Sequence, residues 1–317
     1  MSAESSGTAE LGRIVLVGAN GQLGRSISAA WPSHKLAEHW KLIALSRSEL
    51  DVANAAQVDS VLDLYAPQLL INAAAYTAVD KAESEQEQAF AINAAGPENL
   101  ARWAAINNRA KLIHVSTDFV FSGTATIPYT EASATAPLGI YGASKLEGEK
   151  RVLGELGDLA SHAAIVRTSW LYSEYGANFV KTMLRLMQER DSLSVVNDQI
   201  GSPTSAHSLA AVILGNAADM LSGSQSLSGV SQWSDGGEIS WYDFAAEIQR
   251  QALTCGLLSK ACELHAIPTS DYPTPAQRPA YSVMDRSRLL AALNCPQNSW
   301  QEQLALVLAA LGRDNTQ

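Results

Sequence analysis

Tyr141 and Lys145 stand four residues apart in Tyr141-Gly-Ala-Ser-Lys145, and the charged and apolar residues that follow continue a helical pattern. Four residues is about one helical turn, so both side chains project from one face. That spacing has a chemical use. An ammonium close to a phenol stabilises phenolate and draws its pKa down from about 10 toward values useful for proton transfer, and the same amine can hydrogen-bond a ribose. A Tyr-x-x-x-Lys pair occurs by chance in exposed helices, so its company matters. Ser116-Thr117-Asp118 ends an apolar run at 112–116, and ligands of open α/β sheets sit beyond the carboxyl ends of strands. The Thr117 hydroxyl is therefore placed to hold a carbonyl oxygen beside Tyr141.

A third piece lies upstream. The apolar run 14–17 enters Gly18-Ala-Asn-Gly21-Gln-Leu-Gly24, and an amphipathic pattern follows. Gly18 permits the tight turn, Gly21 lets backbone approach a pyrophosphate, and Gly24 lets the helix pack on the strand, with phosphates at the helix N-terminus. The second strand ends Leu45-Ser46-Arg47. A guanidinium beside a hydroxyl suits a ribose 2′-phosphate, which favours NADPH while leaving NADH possible. Asp51 either faces an adenine amino group or serves only as a turn residue.

The elements that must position these groups show the rhythm of a doubly wound α/β fold. Apolar runs at 14–17, 42–45, 69–72, 112–116 and 164–170 alternate with helix-length segments, among them 84–107 and 144–156. Continuous rather than alternating apolar strands predict a parallel sheet covered on both faces. After Trp170 the pattern changes to helical segments at 178–190 and 208–220, a Ser/Gly-rich turn at 221–229 and a Pro-rich loop at 267–279. The reading is a Rossmann domain over 12–170, preceded by a mobile tail at 1–11, and a smaller α+β substrate-binding domain over 171–317. Strands of the later part are free to return to the large sheet.

Composition narrows the partners. The chain has 317 residues, 47% of them apolar, and a net charge of −10 that disfavours nucleic acid and anionic lipid. No apolar run approaches the roughly 18 residues of a membrane span, and none follows a basic N-terminus, so a cytoplasmic protein is expected. Cys255, Cys262 and Cys295 are odd in number and lack zinc-ligand spacing, as reduced, incidental thiols would. His114, inside an apolar strand, reads as a satisfied core residue rather than a catalyst.

Taken together, GANGQLG, INAAAYTAVDKAESE, AINAAGPENLA, STDFVFSGT, PLGIYGASKLEGEK, RTSWLYSEYGANFVKTMLRL, VVNDQIGSPT and YPTPAQRP span about residues 13–285. In these the chain resembles the extended short-chain dehydrogenase/reductase family, most closely its members that reduce 4-keto sugar nucleotides. The resemblance implies hydride transfer from NADPH to the 4-keto group of dTDP-6-deoxy-L-lyxo-4-hexulose, giving dTDP-L-rhamnose. It makes Thr117, Tyr141 and Lys145 the catalytic residues, with the family's spacing of 24 positions from Thr to Tyr. It assigns Asn93 to supporting the active-site helix. Around the cofactor it places Gly18, Asn20, Gly21, Gln22, Leu23, Gly24, Ser46, Arg47, Asp51, Val52, Ala73, Ala74 and Ala75, with Tyr141 and Lys145. Around the sugar it places Thr77, Val79, Asp118, Phe119 and Trp170, with Arg278 as a diphosphate clamp. Each has a plainer alternative: Trp170 as interdomain core, Arg278 as a surface ion-pair partner.

Related dehydratases carry Thr-Asp-Glu where this chain has Thr117-Asp118-Phe119, so a carbonyl reduction is expected and not an elimination. Some relatives hold magnesium through glutamates at a dimer contact. The matching positions here are Ser26 and His207, poor ligands for a hard cation, so no metal is expected, and the chain is expected to be a monomer or weak homodimer. A competing reading is a non-catalytic NADP-binding subunit, like the regulatory partner of methionine adenosyltransferase.

Overall fold

β1 (Gly12–Val17), β2 (Trp40–Leu45), β3 (Leu69–Asn72), β4 (Lys111–Thr117) and β5 (Ala163–Thr168) lie parallel in one sheet in the computed structural model, which describes residues 11–106, 110–223, 227–293 and 298–314. The strand Gly229–Trp233 pairs in parallel with the outer edge of β5, giving the order Gly229–Trp233, β5, β4, β3, β1, β2. The later half of the chain thus returns to the first sheet. Of the expected tail only Leu11 is among the described residues, and Cys295 and Asn107 lie outside them.

The uninterrupted apolar runs have a direct cause, since successive side chains of a strand point to opposite faces and both faces are covered. Ile14, Leu16, Leu69, Ile71, Ile113 and Val166 pack beneath the helices Gln22–Ala30 and Ala206–Leu221. Val15, Val17, Leu70, Leu112 and Ile165 pack against Val58 and Leu62, Leu100 and Trp103, and Val152 and Leu156, on the helices Ala55–Tyr65, Gly96–Ile106 and Ile140–Leu156. A separate core joins Val180, Met183 and Met187 to Phe244, Ile248, Trp300 and Leu304. It lies under the helices Phe179–Glu189, Trp241–Thr254 and Trp300–Asp314 and a parallel ladder of Ser192–Val196 with Glu263–Ile267.

Two local departures from the sequence reading bear on the site. The segment 84–107 is not one helix: Gln86–Phe90 passes through a π turn, Ala91–Ala95, into Gly96–Ile106. Pro97 has no N–H to offer Asn93 O four residues back, which is one way to loosen an α-helical ladder. The freed stretch meets the Tyr141 helix so closely that a Cβ on Gly148 would lie 2.1 Å from Asn93 O. The second departure is that the Tyr141 helix begins at Ile140, before the expected start at 144. Its N-cap is Gly139, and the Ile140 N–H donates to Glu83 Oε1 at 2.9 Å, satisfying one of the donors a helix start leaves open.

Candidate active site

The glycine turn is built as its spacing predicts. Gly18 has φ +82, and a Cβ there would stand 2.6 Å from Ala74 N, so the turn lies directly on the loop after β3. A Cβ on Gly24 would stand 2.3 Å from Gly18 O, whereas at Gly21 the nearest atom is 3.4 Å away. The middle glycine therefore leaves room on its own side. The helix that follows has no side-chain cap and no acidic residue in its first turn, so its N–H groups remain available to an anion. A cleft of about 200 Å³ opens here, lined by Gly18, Asn20, Gly21, Arg47, Asp51, Val52, Ala73, Ala74 and Ala75, with Leu50 and Ile92 added. Nothing in a glycine motif points to those two apolar walls, although the π turn explains how Ile92 reaches the cleft.

Six of the expected cofactor residues do not line this cleft, Tyr141 and Lys145 of the helix Ile140–Leu156 and four others. Leu23 is core, Gly24 serves packing, and Gln22 accepts hydrogen bonds from Ser173 and Asn178 of the second lobe. The Ser46 hydroxyl donates to Glu49 Oε2 at 2.6 Å, and its N–H donates to the same atom at 2.8 Å. Arg47 is exposed and faces Asp51 across 3.7 Å.

At the carboxyl end of β4, Thr117 donates to Asp118 Oδ1 at 3.0 Å and accepts from Phe119 N–H. Thr117 also acts on the phenol of Tyr141, drawing its pKa down, and the Tyr141 ring meets Phe119 edge-on at 5.4 Å between centroids. One turn on, the Lys145 amine is buried, donates to Val115 O at 2.6 Å and stands 3.4 Å from His114 Nε2. Asn93 Oδ1 accepts from Tyr76 N–H, and its amide donates to Tyr76 O and Ser144 Oγ, tying the loop after β3 to the Tyr141 helix.

The electrostatics differ from the expectation in sign. Burial pushes the Tyr141 phenol up to about 12, against the pull of Thr117 and with a further push from Asp118. Burial also lowers Lys145 to about 8, opposed by Glu149, so desolvation outweighs the ammonium–phenol effect that spacing alone suggests. Buried Asp118 rises to about 6. The site holds its phenol protonated, the form that gives a proton away.

A family model described as RmlD substrate binding domain matches residues 12–313. The chain belongs to that family. It is 40% identical over 299 residues to a dTDP-4-dehydrorhamnose reductase of Aggregatibacter actinomycetemcomitans, covering 94% of this chain and 99% of that one. To the Escherichia coli K12 protein of the same name it is 39% identical, with 93% of each chain covered. A Bacillus anthracis dTDP-4-dehydrorhamnose reductase in complex with NADP superposes with a TM-score of 0.83 at 36% identity, covering 95% of this chain and all of that one. A Thermus thermophilus UDP-glucose 4-epimerase, at 17% identity and TM-score 0.77, shares the fold.

On this RmlD-family scaffold the residues expected around a sugar fall in two groups. Asp118 and Phe119 stand beside Tyr141. Thr77 lies on the loop after β3 and Val79 opens the short helix Val79–Ala82 that follows, with Thr77 O accepting from Val79 N–H. The next residue, Asp80, receives Arg278 in a two-point ion pair at 3.0 and 2.8 Å, joining the Pro-rich loop to that helix across 198 positions. The guanidinium holds the Asp80 carboxyl below its ordinary value. Arg278 lines a cavity of about 760 Å³ together with Phe179, Val196, Gln199, Trp241, Tyr272 and Thr274. Trp170 follows β5 in a left-handed conformation, φ +45, and does not line that cavity. Its ring stacks on Trp241 at 3.5 Å and 9°, and Gly201 packs so tightly against it that a Cβ would lie 2.6 Å from Cε2. One indole face is thus taken by Trp241, which itself reaches the cavity.

Two further groups escaped the sequence reading. Glu83 caps the Tyr141 helix, and Glu149 on that helix forms a buried two-point ion pair with Arg167 of β5 at 2.9 and 2.7 Å. Acidic residues at helical spacing carry no signal that separates such partners from a solvated face. Among the described residues no three His, Cys, Asp or Glu side chains gather as a metal site; His207 pairs with Glu174 at 2.8 Å and Ser26 is buried. No helix is long and apolar enough to cross a membrane among the residues described.

Proposed function

We propose that this chain reduces the 4-keto group of dTDP-6-deoxy-L-lyxo-4-hexulose with NADPH, giving dTDP-L-rhamnose and NADP⁺. The observation that carries the reading is the meeting of Thr117, Tyr141 and Lys145 at the end of β4, beside the glycine-turn cleft, in a chain whose relatives are named for this reaction. The cleft suits a dinucleotide: an open glycine, an uncapped helix start and a cation at the rim. Bound there, NADPH supplies the hydride to C4 of the sugar.

The chain's own residues do the rest. Thr117 turns its hydroxyl from Asp118 to the keto oxygen and fixes it beside the phenol. Tyr141 gives its proton to that oxygen as the C–H bond forms, and the phenolate recovers a proton from solvent. Lys145 holds a cofactor ribose hydroxyl and keeps Tyr141 in line. Asn93 holds the loop and helix in register. The 760 Å³ cavity takes the nucleoside diphosphate, with Arg278 turned in part from Asp80 toward a phosphate and Trp241 offering a flat face. Thr77, Val79 and Trp170 complete the set of residues that this reading places around the sugar. Net charge −10 supports a free cytoplasmic enzyme, monomer or weak homodimer, with no nucleic-acid or membrane partner.

The test mixes the purified protein with NADPH and an enzymatically generated dTDP-4-keto-6-deoxy sugar and follows reduced-nicotinamide absorbance. Loss of absorbance with formation of dTDP-L-rhamnose is expected. No loss at any protein concentration, with NADPH still bound, would favour the non-catalytic NADP-binding reading.

A further inference from the structure

Asp80 and Glu83 stand three positions apart on the short helix Val79–Ala82 and its C-cap, and each carboxylate reaches a different part of the molecule. Asp80 takes the Arg278 guanidinium at two points and the Ala276 N–H at 3.2 Å, which fixes the short helix to the Pro-rich loop. Glu83 reaches the other way, and its Oε1 accepts the Ile140 N–H that opens the Tyr141 helix. The support behind Glu83 is firm. Ala82 is fully buried, and Tyr76, a few residues upstream, is held by Asn93 at both its N–H and its carbonyl and donates its hydroxyl to Glu85 Oε2 at 2.6 Å.

Tyr141 is the second residue of its helix, in the turn where backbone donors lack intrahelical partners. A helix start is ordinarily closed by the side chain of its own N-cap, most often Ser, Thr, Asp or Asn. Here the N-cap is Gly139, which has no side chain to offer. Its φ and ψ, −145 and 176, suit any residue, so the backbone does not call for glycine. The space a side chain would fill is taken by Glu83 instead: a Cβ on Gly139 would lie 2.6 Å from Glu83 Oε1. Three positions on, a Cβ on Gly142 would lie 2.2 Å from Phe119 O, so the same turn is pressed against the loop that follows Thr117. Ser144 donates to Tyr141 O at 2.8 Å and accepts from Asn93 at 3.0 Å. The turn that bears the phenol is thus held at two points, by Asn93 through Ser144 and by Glu83 at its opening.

We propose that Glu83 is a positioning residue for Tyr141: a carboxylate from another element serves as the N-cap that the helix lacks, and by holding the first turn closed it keeps the phenol beside Thr117 and in line for proton transfer. A carboxylate suits that end of a helix, where the open N–H groups carry partial positive charge. The effect on turnover rests on the reductase reading, whereas the capping does not. A displacement of about 1 Å in an active site costs about a hundredfold in rate, and with the Asn93–Ser144 link still in place a loss of about tenfold is expected when Glu83 is removed.

Hydrogen exchange of the intact apoprotein, read by mass spectrometry, follows the amides of 138–145 and of 146–156 separately. Glu83→Ala should speed exchange over 138–145 by about fivefold, the equilibrium worth of one N-cap, and leave 146–156 unchanged. Unchanged exchange over 138–145 overturns the proposal whatever the activity. In turnover of the keto sugar, Glu83→Ala should lower kcat by about tenfold with KM for NADPH changed much less. Glu83→Gln keeps an acceptor for the Ile140 N–H and should recover most of that kcat. So should Glu83→Ala combined with Gly139→Ser, in which a hydroxyl takes the space the carboxylate left and caps the helix from its ordinary position. Full turnover in a folded Glu83→Ala protein overturns the proposal, and so does a loss equally deep in Glu83→Gln, or a double variant whose exchange is restored while its kcat is not. Should Glu83→Ala not fold, Gly139→Ala serves, because its methyl displaces the carboxylate on a backbone any residue adopts. The same two changes are then expected, and their absence overturns the proposal. If the wild type turns over no keto sugar, the reductase reading fails, and the exchange measurement still decides the cap.

Discussion

Replacing Gly18 and Gly21 by alanine, one at a time, separates what the glycine turn does for the fold from what it does for the cofactor. At Gly18 the backbone is left-handed, φ +82, which costs an L-residue about 1–2 kcal/mol. The new methyl would also lie 2.6 Å from Ala74 N and 2.8 Å from Ala73 C, and forced backbone shifts of that kind cost about 1–3 kcal/mol. Together Gly18→Ala should lose roughly 2–5 kcal/mol of stability. Gly21 is the opposite case. Its φ and ψ, −72 and 169, suit any residue, and its Cβ would have nothing closer than 3.4 Å. The exchange of a Gly for an Ala N-cap should cost about 1 kcal/mol or less. Yet that methyl points where a pyrophosphate must approach the helix N-terminus. Gly21→Ala should therefore weaken NADPH at least tenfold, about 1.4 kcal/mol, while unfolding in urea close to the wild-type midpoint. NADPH affinity is read by fluorescence titration on the same samples. If Gly21→Ala binds NADPH as the wild type does, or unfolds as early as Gly18→Ala, the cleft has been assigned to the wrong ligand or the turn to the wrong role.

Tyr141→Phe keeps the ring that meets Phe119 and removes only the proton donor, so NADPH affinity should be unchanged while kcat falls by about 10²–10⁴; retention of full turnover would remove Tyr141 from the chemistry. Arg47 is exposed and its partner Asp51 is 3.7 Å away, leaving it free to meet a 2′-phosphate. Arg47→Ala should narrow the NADPH-over-NADH ratio of kcat/KM by about tenfold, the worth of one charge-assisted contact, and an unchanged ratio would clear it of that role. The Glu149–Arg167 pair is buried to 3% and 5% exposure, so Glu149→Leu strands a guanidinium and should cost about 3–5 kcal/mol in urea unfolding. Adding Arg167→Met should recover most of it, and a neutral single variant would contradict the burial.

What could be read from the sequence was what burial and local spacing determine without help. Strands covered on both faces are apolar at most positions, so β1, β3 and β4 stood out as short runs, and the glycines declared themselves because two of the three have no room for a methyl. The edge strand Gly229–Trp233 gave no such run, because Ser231 and Gln232 are buried polar residues there; Gln232 is tolerated by donating to Tyr129 O at 2.8 Å, a partner 103 positions away, and to Asp285 O at 3.3 Å. Arg278 was visible, but not that Asp80 holds it, since ion pairs across 198 positions leave no trace in spacing.

The direction of the Tyr141 shift is the deepest of these gaps. Spacing supplies the ammonium and therefore argues for a lowered phenol, whereas the outcome depends on how much water the folded site admits and on a carboxylate, Asp118, brought alongside by the turn after β4. Desolvation disfavours both phenolate and ammonium, so it raises Tyr141 and lowers Lys145 at once, against the direction that spacing alone assigns to the phenol. An enzyme that oxidises alcohols needs a phenolate ready to take a proton. One that reduces ketones needs the phenol ready to give one, and the same Tyr-x-x-x-Lys string serves either; burial here favours the phenol.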